Sequence, residues 1–96
     1  MSMFTTYILY SPDYDKIYIG FTSDIEQRLL SHNIFAKKGW TIKFRPWVLV
    51  YSEIFNTKAE AMKREKQLKS AKGREFARIK VAGYNLEKQN KQQSSW

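Results

Sequence analysis

Ninety-six residues, 43% of them hydrophobic and 16% aromatic, suffice for one compact domain with one core and are too few for two independently folding ones. The absence of cysteine excludes disulfides, thiolate metal sites and cysteine nucleophiles, and it permits a reducing compartment, with the cytoplasm as the default location. Seventeen Lys and Arg against nine Asp and Glu leave a net charge of +8, which favours a polyanionic partner, because cationic side chains release counterions from phosphates.

The chain opens Met1-Ser2-Met3-Phe4-Thr5-Thr6, without the basic and long apolar regions of a signal peptide, and no stretch approaches the roughly 18 apolar residues of a membrane helix. A soluble protein without a membrane partner is expected. Thr5 to Tyr10 and Lys16 to Gly20 are β-branched and aromatic runs, and the turn formers Pro12, Asp13 and Asp15 between them predict a β-hairpin. Ser23-Asp24-Ile25-Glu26 has the form of a capping box and predicts a helix from about Asp24 to Asn33, with Ile25 and Leu29 starting its apolar stripe.

From Ile34 to Pro46 the period is lost and basic residues alternate with aromatics: Phe35, Lys37, Lys38, Trp40, Lys43, Phe44 and Arg45. This segment reads as a loop, and its cations suit phosphates while its rings suit unpaired bases. Trp47-Val48-Leu49-Val50-Tyr51 is a near-continuous apolar run, as expected of a central strand covered on both faces. Thr57-Lys58-Ala59-Glu60 predicts a second capped helix ending near Ala71-Lys72-Gly73, with Gly73 in the left-handed position beyond its end. A last helix is expected from Arg74, closed by Gly83. The polar stretch from Asn85 to Trp96 predicts a disordered tail behind a single domain spanning residues 1–84. The order β-β-α-β-α-α implies an α+β domain, a three-stranded sheet with helices around it.

Within this frame a few polar residues sit oddly for purely structural roles. At 100° per residue Arg28 and His32 lie within about 40° of each other beside the Ile25 and Leu29 stripe, so both can reach one site. On the next helix Glu65 falls within about 60° of Ala61 and Leu68, and so interrupts an inward stripe. A carboxylate there needs a partner, either a cation such as Arg28 or a divalent metal.

The spacing joins these residues. Tyr7 and Tyr18-Ile19-Gly20 stand eleven residues apart, tyrosine to tyrosine, followed by Arg28 and His32. The pattern resembles the GIY-YIG nuclease domain. The likeness continues through Arg45-Pro46-Trp47-Val48-Leu49-Val50-Tyr51 and the helix from Glu60 to Lys69, covering roughly Thr5 to Phe76. It is strongest to the small stand-alone bacterial members related to the nuclease domain of the excision-repair subunit UvrC.

The resemblance implies a central three-stranded antiparallel sheet flanked by helices, and a divalent-metal-dependent endonuclease hydrolysing nucleic-acid phosphodiesters, DNA first, in repair or processing. Carried over by position, Tyr7, Tyr18, Arg28, His32 and Glu65 become the catalytic set, and Glu65 the ligand of a single Mg2+ or Mn2+ ion. Lys37, Lys38, Trp40, Lys43, Arg45, Lys69 and Lys72 are the candidate nucleic-acid contacts. No downstream Asn is assigned to the position that larger relatives fill with one. The first motif keeps only its tyrosine, reading Thr5-Thr6-Tyr7, and Phe21 follows Gly20 where some active relatives carry Lys. They motivate an alternative, a nucleic-acid-binding module with this fold and weak or no turnover.

Overall fold

Strand β1 (Phe4–Ser11) is buried at every position from Thr6 to Ser11, and a strand so enclosed belongs in the middle of a sheet. A computed structural model, which describes residues 3–93 and side chains over 3–89, has β1 at the centre of a three-stranded antiparallel sheet. Strand β2 (Lys16–Thr22) forms one edge and β3 (Val48–Phe55) the other. The protein is thus an α+β domain of the expected element order, with β1 and β2 joined as the expected hairpin.

Side chains alternate across β1, and each face has its own cover. On one face Ile8 and Ile19 pack with Leu68 of α2 (Lys58–Lys69) and Ala77 of α3 (Ala71–Gln93). On the other, Tyr7 and Leu9 pack with Trp47, joined by Ile25 and Leu29 from the region of α1 (Ile25–Leu30). Between α1 and β3 the chain makes a wide π-helical turn (Ser31–Phe35) and a short 3-10 helix (Trp40–Phe44), where a loop was expected.

Several expectations are corrected. The apolar run after Pro46 is an edge strand, with Leu49 and Ile54 exposed. Its register slips between Ile8, opposite Tyr51, and Leu9, opposite Leu49. The bulge lets the successive residues Val50 and Tyr51 both pack on the α2 and α3 cluster, so the run need not alternate. Helix α1 is capped by Asp24, whose carboxylate accepts from the Gln27 amide at 3.1 Å, one residue later than the expected cap. Helix α2 does start at Thr57, whose hydroxyl oxygen accepts from the Glu60 amide at 3.2 Å.

Gly73 lies inside α3 and serves close packing instead of a left-handed turn. A Cβ there would collide with the Gln67 carbonyl and the Leu68 backbone, so the missing side chain allows α3 to start directly against the last turn of α2. Gly83 does not end α3 either. The helix continues through Gln93, because the Leu, Glu, Lys and Gln residues past Asn85 are good helix formers with no breaker among them. The expected tail is therefore helical to Gln93, and its last residues, 94–96, lie outside the described residues. No helix among the described residues is long and apolar enough to cross a membrane.

Candidate active site

Tyr7 and Tyr18 share a face because β1 and β2 pair with Tyr7 opposite Gly20 and Leu9 opposite Tyr18. The motif glycine has a steric task. A Cβ at Gly20 would stand 2.8 Å from the Tyr7 hydroxyl oxygen and 3.0 Å from Tyr18 Cε1, so only glycine leaves room for the Tyr7 ring end. Tyr7 is 1% exposed, and burial pushes its hydroxyl up to about 12, with nearby Arg28 opposing that rise and Tyr18 and Glu65 adding to it.

Arg28 projects from α1 to the same two tyrosines, whose hydroxyls make its guanidinium hold its proton more firmly. His32 follows one turn later, within the π-helical turn that Ala36 closes by donating from its amide to the Ser31 carbonyl at 2.9 Å. The imidazole is buried and bridges two hydroxyls: Nε2 lies 3.1 Å from Tyr7 Oη, and Nδ1 lies 3.1 Å from Thr41 Oγ1. Burial first, then the charges of Arg28 and Arg45, push His32 below its ordinary value, so it is neutral at neutral pH. The Tyr18 ring packs on it at 4.7 Å between centroids.

Glu65 comes from α2 and acts on Tyr7 through its charge. Its flanking stripe residues Ala61 and Leu68 are fully buried, whereas its own side chain keeps 21% of its surface and approaches Lys69 Nζ at only 3.5 Å. Among the described residues no group of three or more His, Cys, Asp and Glu gathers to hold a metal. A lone, part-exposed carboxylate with unfilled acceptor capacity suits a cation such as Mg2+, which keeps most of its waters and takes few protein ligands.

Tyr7, Tyr18, Arg28 and His32 thus come together, with Glu65 near enough for its charge to be felt at Tyr7, whereas the expected nucleic-acid contacts divide. Trp40 and Lys69 line a cleft beside Tyr18. Lys37, Lys38 and Lys43 are exposed between α1 and β3, and Lys72 is exposed at a separate hollow with Arg64 and Phe76. Arg45 is already engaged: its guanidinium donates to the carbonyls of Ser31, His32 and Ala36, satisfying the end of the α1 and π-helical segment. We assign it to folding instead of phosphate binding.

Two contributors carry no sequence signal. Thr41 orients His32 and accepts the Trp47 indole N–H through its carbonyl at 2.8 Å, yet in sequence it is one threonine in an irregular basic segment. Asn33 clamps the Trp47 backbone, accepting from its amide at 2.6 Å and donating to its carbonyl at 3.0 Å.

Comparison with known proteins places the chain in a family. Residues 3–85 match the family model described as the GIY-YIG catalytic domain, and the chain belongs to the GIY-YIG family. It is 39% identical to a UPF0213 protein of Staphylococcus haemolyticus over 70 residues, covering 73% of this chain and 84% of that one. A UPF0213 protein of Streptococcus pyogenes is 33% identical over 84 residues, covering 88% and 90%. The fold is similar to the solution NMR structure of a UPF0213 protein from Bacillus halodurans, with a TM-score of 0.51 and 27% identity over 93% of this chain and 95% of that one. The family is one of nucleases acting on nucleic acid, generally with a divalent metal.

Proposed function

We propose that this protein is a divalent-metal-dependent endonuclease that hydrolyses nucleic-acid phosphodiesters, DNA foremost, with Tyr7, Tyr18, Arg28, His32 and Glu65 as its working residues. The observation that carries this is the Tyr7 hydroxyl, buried against a neutral imidazole at 3.1 Å and facing Arg28. A buried tyrosine hydroxyl takes a hydrogen-bond partner, and at Tyr7 that partner is a titratable ring able to exchange a proton with it.

Hydrolysis forms a bond from a water oxygen to phosphorus and breaks one to a sugar oxygen; the attacking water gives up a proton and the leaving oxygen takes one up from solvent. Tyr7 takes that proton on its oxygen as its own passes to Nε2 of His32. This relay needs the tautomer in which Nδ1 of His32 donates to Thr41 Oγ1 and Nε2 has its lone pair free. Arg28 offers a planar fork to the non-bridging oxygens as charge develops there. Tyr18 packs against His32 and holds its ring in place. Glu65 would hold a Mg2+ or Mn2+ ion, which when bound supplies positive charge to the phosphate and the leaving oxygen.

The test is incubation of DNA and RNA oligonucleotides with Mg2+ or Mn2+, using the wild type, Glu65→Ala and Arg28→Ala. The reading expects cleavage by the wild type, with losses of about 100-fold or more in each variant. Cleavage indifferent to both substitutions would overturn it, and binding without cleavage would favour the non-catalytic module that Thr5 and Phe21 suggest.

A further inference from the structure

Beside the tyrosine and histidine cluster lies a cleft of about 480 Å3 that the chemistry above leaves unused. Lys16, Lys69, Arg74 and Arg78 give it positive walls, and Tyr18 and Trp40 supply its aromatic surface. Two of these six also border the active site: Tyr18 packs on His32, and Lys69 stands 3.5 Å from Glu65. The cleft therefore continues from the place where the reacting phosphodiester would lie. Its one carboxylate, Asp15, is paired with Arg78 at 2.9 Å; Lys69 shares its charge with Glu65 at 3.5 Å and Lys16 lies over the Phe44 ring, and these two join Arg74 in facing an anion.

Trp40 is 48% exposed although it packs against Phe44 at 4.7 Å and Trp47 at 5.8 Å between centroids. Trp47 in turn is buried and pinned by Asn33 and Thr41. A large ring held this rigidly, with half its surface open in a basic cleft, loses little freedom when another ring stacks on it. Inside a duplex each base is covered on both faces by its neighbours, whereas an unpaired base presents a free face.

We propose that the cleft receives an unpaired nucleotide next to the scissile phosphodiester, its base on Trp40 and its phosphate on Lys16, Lys69 and Arg74. The substrate is then single-stranded or frayed nucleic acid in preference to intact duplex. The proposal rests on the nuclease reading for the identity of the neighbouring phosphate, but its binding arm is independent of turnover.

The experiment measures anisotropy of a fluorescein-labelled DNA oligonucleotide, alone and annealed to its complement, across a NaCl series in EDTA. The wild type is expected to bind the single strand at least about tenfold more tightly than the blunt duplex, and Trp40→Leu to lose about tenfold on the single strand with little change on the duplex. Trp40→Phe retains most of the affinity. Lys16→Gln and Arg74→Gln, both at exposed positions, should each lower the slope of log K against log salt by about 0.7 on the single strand, and they decide the matter if Trp40→Leu does not fold. Equal affinity for single strand and duplex overturns the proposal, as does a folded Trp40→Leu that binds like the wild type, or unchanged slopes for both cation variants. Adding Mn2+ separates the two readings. Cleavage with no effect of Trp40 or the cations overturns the cleft alone, whereas the expected binding pattern without cleavage overturns the nuclease alone.

Discussion

The Tyr7 hydroxyl stands 3.1 Å from Nε2 of His32, and burial keeps both groups neutral, raising the one and lowering the other. The lowered His32 has a consequence for stability. On the acid side of its ordinary value of 6.5 the unfolded chain binds a proton that the folded chain resists, so stability rises with pH through that range. The contribution of His32 is complete above about pH 6.5 and is lost progressively as pH falls towards the folded value. Thermal melts between about pH 7.5 and pH 5 should show this decline in the wild type and a shallower one in His32→Asn.

Gly20→Ala should leave the sheet formed and damage the site. The new methyl would meet the Tyr7 hydroxyl at 2.8 Å, closer than carbon and oxygen tolerate, so the ring end must move away from His32. A displacement of this size costs about 100-fold in turnover when the group is catalytic. Single-turnover rates alongside far-ultraviolet circular dichroism check this outcome.

Arg45→Ala should act on folding and leave nucleic-acid binding alone. Its guanidinium satisfies three carbonyls at the end of the α1 and π-helical segment, and the loss of such charge-assisted bonds costs about 2 kcal/mol. Urea unfolding should register that loss. The salt slope of oligonucleotide binding should stay unchanged, whereas a true phosphate ligand would lower it by roughly 0.7 to 0.9.

Gly73→Ala should destabilise the contact between α2 and α3, because the added Cβ falls on the Gln67 carbonyl and the Leu68 backbone. Backbone cannot yield as a side-chain tip can, and overpacking of this kind costs about 1–3 kcal/mol. In an ordinary helix interior the same substitution would stabilise by up to about 1 kcal/mol, so the sign alone decides.

These cases also show where sequence reasoning reaches. The hairpin, Thr57 as a cap and Glu65 as a carboxylate on an inward stripe follow from periodicity and capping chemistry, and those are local. Tyr7 and Tyr18 carried meaning only through family spacing, since tyrosine is an ordinary strand residue. The central place of β1 and the bulge at Val50 were hidden because strand order depends on pairing between distant segments, which composition does not encode. Arg45 looked like a phosphate contact because nothing local reveals that its guanidinium meets carbonyls from 31–36. Gly73 was misplaced for a similar reason: a close approach of two helices and a left-handed turn call for the same residue.

The most direct test of the central claim is the single-turnover cleavage rate of a single-stranded oligonucleotide in Mn2+ for the wild type and Tyr7→Phe. That substitution removes one oxygen and keeps the buried ring, so folding should survive with a modest loss. The account predicts that cleavage requires the metal and falls by about 100-fold or more in Tyr7→Phe, with oligonucleotide affinity unchanged. A Tyr7→Phe variant that cleaves at the wild-type rate would contradict it.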